Sequence, residues 1–134
     1  MRIRILAAVL ALSIAGTAAI AQANFAQVSQ FTTPKEFAAA GAVKLSAAEF
    51  AKKVVGKKMD GDGWSWIIKK NGTTDSIADD GSWKEVAAPW TMEGDQYCIV
   101  DKGKQKCRDV YLLGKFMRMA EKSGKLSPWT AQLK

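Results

Sequence analysis

The sequence predicts an α+β fold that is mainly antiparallel β. Two short N-terminal helices precede a meander of roughly six to eight strands closing into a small barrel or a sandwich, with one disulfide. Three observations predict it. Two helix starts, at Thr33 and Ser46, follow each other early in the chain. From Gly61 onward, turn residues recur about every ten positions and the apolar pattern takes the two-residue period of strands. The two cysteines, Cys98 and Cys107, lie on either side of a turn at Lys102-Gly103.

The amino terminus comes first. "MRIRILAAVLALSIAGTAAIAQANFAQ" places Arg2 and Arg4 before an apolar run, then small residues ending in "AQA" at Ala21–Ala23. That is the form of a cleaved secretory signal peptide. A membrane span needs about 20 apolar residues, and Ser13, Gly16 and Thr17 interrupt this run. Cleavage after Ala23 takes 23 of 134 residues and leaves 111, enough for one domain with a modest core. Residues 24–32 read as a flexible leader and 33–134 as a single domain. Loss of Arg2 and Arg4 lowers the formal net charge from +7 to +5.

The helices follow. In "FTTPKEFAAAG" Thr33 caps, Pro34 occupies the first helical position, Glu36 completes a capping box and Gly41 ends the helix. In "LSAAEFAKKVVG" Ser46 and Glu49 form the box, Leu45 staples onto Phe50, and Gly56 stops the helix. Phe50, Val54, Ala47 and Ala51 share one side, while Lys52 and Lys53 face water.

The strands begin at Trp64. "WSWIIKK" and "TTDSIA" flank Asn71-Gly72, the pair that suits a type I′ hairpin. A two-residue turn there predicts Trp66 opposite Ile77 and Ile68 opposite Asp75, with Trp64, Trp66 and Ile68 on one face. Further candidates are "SWKEVA", "WTM", "QYCIV", "KCRDVYLL", "KFMRMAE" and "WTAQL". A two-residue turn at Lys102-Gly103 pairs Asp101 with Lys104 and, counting outward, Cys98 with Cys107. The cysteines then face each other at a non-hydrogen-bonded position, where Cα atoms approach to about 4.5 Å, within disulfide range. With a signal peptide this predicts a disulfide rather than a metal clip or a redox pair.

Function is less legible. The chain contains no histidine, which removes the usual general base, the usual zinc ligand and every imidazole triad. No phosphate loop, nucleophile elbow or metal motif occurs, so no catalytic residue, metal ligand or cofactor is expected. "DGDGW" begins like a calcium loop, but Trp64 stands at its fifth position and Asn71 at its twelfth. "GSW", Gly81–Trp83, matches the G-x-W of lipocalin-like barrels over three residues only. The basic residues are dispersed lysines without the Arg and aromatic stripe of a nucleic-acid binder. Five Trp serve either as core or as a stacking surface, and their placement in separate strands favours core. The candidate ligand or partner contacts are Trp64, Trp66, Trp83 and Trp90, with Lys69 and Lys70.

The succession of leader, "LSAAEFAKKVVGK", "KNGT", "GSW", "GDQYC", "KC" and "GKLSPW" resembles small uncharacterised periplasmic proteins of alphaproteobacteria. The resemblance implies a disulfide-bearing, β-rich domain and carries no catalytic residue to transfer. The resulting expectation is a non-catalytic, monomeric binding or interaction protein, periplasmic or secreted, whose partner is a protein or an envelope component and not nucleic acid. Three alternatives stand beside it. One is an inhibitor of secreted proteases that uses Asn24–Thr33 as a trunk. Another is a Lys-rich factor that contacts anionic glycan or lipid. The third is a barrel holding a small hydrophobic ligand.

Overall fold

A computed structural model describes residues 23–134, so the signal peptide expected over residues 1–23 lies outside the described residues except for Ala23. The elements are α1 (Phe25–Ser29), α2 (Pro34–Ala39), β1 (Val43–Lys44), α3 (Ala47–Lys53), β2 (Lys58–Asp60), β3 (Trp64–Ile68), β4 (Thr73–Ala78), β5 (Lys84–Glu93), β6 (Gln96–Asp101), β7 (Lys104–Leu113), β8 (Phe116–Ala120) and β9 (Ala131–Leu133). From β2 to β9 each strand pairs antiparallel with the next. β9 then pairs with β2, so eight strands close into an up-and-down barrel. Of the two expected architectures the barrel is the one formed, and closure removes the unpaired edges a sandwich would leave. The two-residue strand β1 lies outside the ring, on the far half of β7.

The cysteine hairpin has the expected register. Asp101 pairs with Lys104 and Cys98 with Cys107, and the disulfide is formed with the Cα atoms 4.0 Å apart. Lys102 and Gly103 both have positive φ, at 52° and 76°, as a type I′ turn requires.

The first hairpin departs from expectation by one residue. Ile68 pairs with Thr74 and Ser65, not Trp66, pairs with Ile77. The Gly72 N–H donates to the Lys69 carbonyl and the Lys69 N–H to the Thr73 carbonyl. Gly72 has φ +86° and Asn71 is not in the left-handed region. This is a three-residue loop, a type I turn closed by a left-handed glycine. The Asn71 side chain explains the choice, because its Oδ1 accepts from both the backbone N–H and the hydroxyl of Thr73.

The region expected as a flexible leader instead holds a third helix. Asn24 caps α1 and forms a reciprocal box with Gln27, and Val28 is fully buried. The reason lies at the far end of the chain, in Arg118 of β8, which is 2% exposed. Its guanidinium donates to the carbonyls of Val28, Phe31, Ser127 and Trp129 at 2.7–3.0 Å. Helix α2 starts as expected at Thr33 and Pro34. Its Glu36 carboxylate reaches Thr32 rather than closing the box onto Thr33. Helix α3 has the full Ser46–Glu49 box.

Two apolar clusters result. One fills the barrel around Leu45, Phe50, Val54, Met59, Ile68, Tyr97, Val110, Met117 and Met119. The other lies outside the wall, where Val28, Phe37 and Ala42 cover Phe116, Ala120 and Leu126. Strand β8 is sandwiched between them and is buried at all its positions. Helix α3 covers one end of the barrel. Phe50 packs edge-on against Trp90 and near Tyr97, and the N–H groups of Ala47 and Gly56 donate to the Asp95 carboxylate and the Ile68 carbonyl. The opposite end is open.

Candidate functional site: the open mouth of the barrel

The open end is a cup of about 310 Å³. It is lined by Trp64 and Trp66 of β3, Thr74 and Ser76 of β4, Glu85 and Ala88 of β5, Tyr97 and Ile99 of β6, Arg108 of β7, and Trp83 and Trp129 from loops. Strand alternation selects most of these. On β3 the inward parity holds Trp64, Trp66 and Ile68; on β7 it holds Arg108, Val110 and Leu112.

Strand β5 reaches the cup by an irregularity. Thr74 pairs with Ala88 but Ser76 pairs with Glu85, so Asp75 faces two residues, Val86 and Ala87. Ala87 sits at φ 55° and its N–H donates to Asp75 Oδ1 at 2.8 Å. This bulge shifts the parity of β5, so that Glu85 and Ala88 both point inward although an odd number of bonds separates them. Backbone donation from Ala87, with Lys69 second, holds the Asp75 carboxyl below its ordinary value.

Aromatic rings form the walls. Trp64, Trp66 and Trp129 lie with centroids 5.4–6.1 Å apart, Trp129 nearly perpendicular to both others, an arrangement favoured by ring quadrupoles. Gly61 makes this possible, because a Cβ there would overlap the Trp64 indole. The "DGDGW" stretch is therefore a turn shaped around a ring, and its Asp60 faces Lys134 and Ser65. Tyr97 is the floor, 2% exposed, packed between Trp66 and Trp90. Burial pushes its hydroxyl well above the ordinary tyrosine value, against smaller opposing effects of Thr74 and Arg108. Trp83 stands at the rim, 48% exposed. Trp129 is held from outside the wall, since Arg118 Nε donates to its carbonyl at 3.0 Å.

Of the contacts expected from sequence, Trp64, Trp66 and Trp83 meet in the cup and Trp90, Lys69 and Lys70 do not. Trp90 lies beneath α3 with its indole N–H on the Lys69 carbonyl, 3.0 Å away. Lys69 is paired with Asp75 at 2.8 Å, and Lys70 is exposed in the hairpin loop. Cys98 and Cys107 staple the wall and do not line the cup. Arg108, Tyr97, Trp129, Glu85, Thr74 and Ser76 line the cup without being among the expected contacts. Arg108 left a signal, because it shares strand parity with Val110 and Leu112 and so is a charge on an apolar face. Glu85 left none, because the bulge decides its side.

Among the described residues no three of Asp, Glu and Cys gather as metal ligands, and no helix is long and apolar enough to cross a membrane. No family model, curated protein or solved structure matches this chain.

Proposed function

We propose that the protein is a non-catalytic binding protein of the periplasm or the extracellular space that holds a compact ligand in the mouth of its barrel. The observation that carries this reading is the cup itself, a concavity of about 310 Å³ with five aromatic side chains and a few polar groups. That volume lies at the small end of the range for ligand sites, about 300–1,000 Å³, and apolar walls with sparse polar groups are their usual composition. The disulfide supports the compartment, since such bonds persist outside the reducing cytoplasm. The N-terminal leader sequence points the same way.

The protease-inhibitor reading has less support. Its trunk would be Asn24–Thr33, and that segment packs on the barrel with Arg118 bound to two of its carbonyls. The reading of a Lys-rich contact factor is also weaker, because Lys44, Lys53, Lys69, Lys106 and Lys134 each face a carboxylate.

Intrinsic fluorescence tests the proposal. Four of the five Trp line the cup, so a bound compound changes their emission. Compact aromatic and alicyclic compounds should give a saturable change that disappears in W66A. If none of a broad panel gives saturation at millimolar concentration, the mouth is not a ligand site.

A further inference from the structure

Among the described residues Arg108 is the one cation that lines the cup. Its side chain is 19% exposed, and its described charge partner, Glu121, lies 3.9 Å away, beyond the range of a good hydrogen bond. A guanidinium carries five N–H donors in a planar fork that matches a carboxylate two bonds at a time. Here the fork has no close acid and its nitrogens keep contact with water at the mouth of the cup, so its donors are free for an incoming acceptor. Glu85, the opposing charge in the cup, is exposed on β5, one strand removed from β7, and keeps its hydration. The positive net charge, +7 for the full sequence and +5 without Arg2 and Arg4, further favours an approaching anion.

The walls restrict the rest of the ligand. Trp129 stands nearly at right angles to Trp64 and Trp66, so the three offer both ring faces and ring edges, which suits a flat or cyclic body. Tyr97 and, below it, Phe50 close the cup toward α3, so a long acyl chain has no room to extend. We propose that the ligand is a compact aromatic or alicyclic monoanion, its ring among the three Trp and its carboxylate, or a planar acid of like geometry, gripped by the Arg108 fork. This rests on the mouth being a ligand site and adds the charge and shape of what enters it.

Calorimetry with 2-naphthoate and its neutral isostere 2-naphthamide tests the inference on the full mature chain. The acid should bind about ten- to a hundred-fold more tightly than the amide, the range expected for a charge-assisted bidentate contact. R108Q should erase the difference by weakening the acid alone. R108K, which keeps the charge and loses the fork, should fall between. Melting curves of both variants identify any failure to fold, and R108K preserves the comparison if R108Q does not fold. Equal affinity for acid and amide, unchanged in R108Q and R108K, overturns the anion and leaves the cup reading standing. Absence of binding by both probes overturns the ligand class, and together with a silent fluorescence panel it removes the cup reading as well.

Discussion

At the scale of single residues, Arg118 carries more of the structure than any other polar side chain. It lies on the outer face of the wall, buried, and is satisfied by four backbone carbonyls rather than by an acid. Burial lowers its pKa, but an arginine begins so high that the charge remains. Two of those carbonyls belong to the N-terminal segment and two to the loop carrying Trp129, so one side chain ties α1 to the barrel and fixes a wall of the cup. R118M should cost about 3 kcal/mol or more, because several carbonyls lose their donors together. It should also expose Phe25–Phe31 to limited proteolysis. A variant with unchanged urea midpoint and protection would remove Arg118 from this role. Asp75 offers a test by pH. The Ala87 N–H, then Lys69, hold its folded carboxyl below the ordinary value, so protonation favours the unfolded chain. Its contribution is complete above the unfolded value, about 3.9, and is lost as pH falls below that through the folded value. The gap in urea midpoint between the wild type and D75N should therefore be widest near neutrality and shrink below about pH 4. A gap independent of pH would mean that the bulge does not depend on the carboxylate charge.

At the scale of elements, the disulfide hairpin and the first hairpin show what local sequence can determine. Lys102-Gly103 takes the two-residue turn, and the Cys98–Cys107 pairing follows by counting. Asn71-Gly72 has the same outward form, yet the Asn71 side chain captures Thr73 and lengthens the loop by one residue. Strand β3 keeps its own faces through this slip, but β4 turns over: Thr74 and Ser76, rather than Asp75 and Ile77, share the inner face with Ile68 and Trp66, and Ile77 is left exposed. Both helix starts were legible from their caps. Helix α1 was not, since its anchor is an arginine about ninety positions away. The bulge of β5 was equally hidden: "SWKEVA" and "WTM" read as separate strands, and it is pairing with β4 on both sides of the bulge, with the Asp75–Ala87 bond at it, that joins them into one. Because the type I′ turn sets the register of the cysteine hairpin without help from sulfur, C98S/C107S should still close the barrel. It should unfold about 2 to 3 kcal/mol sooner, as the chain-entropy model gives for so short a loop. Unchanged circular dichroism with a lowered urea midpoint is the expected result. A double variant that does not fold would show that the turn alone cannot hold these strands in register.

At the scale of the whole molecule, the barrel is finished differently at its two ends. Helix α3 packs Phe50, and its C-cap residue Val54, into one end, where area burial stabilises the fold, about 25 cal/mol per Å² of apolar surface. At the other end four Trp, one Tyr and a half-buried Arg surround space instead of filling it. A core selected for stability alone would close such a void, since its lining atoms lose packing contacts. The mouth can therefore be separated from the scaffold by mutation. Ser76 faces the cup from β4, paired with Glu85 and beside Trp66. In S76F a ring should enter the space that a ligand would take, replacing a hydroxyl with apolar surface against the Trp walls. The variant should lose naphthoate binding at least about ten-fold, equivalent to 1.4 kcal/mol, while its melting temperature holds or rises. Retained affinity in a folded S76F would place the ligand elsewhere on the molecule. A fall in stability with affinity intact would mean that the cup, though empty of side chains, has no room that the fold can yield.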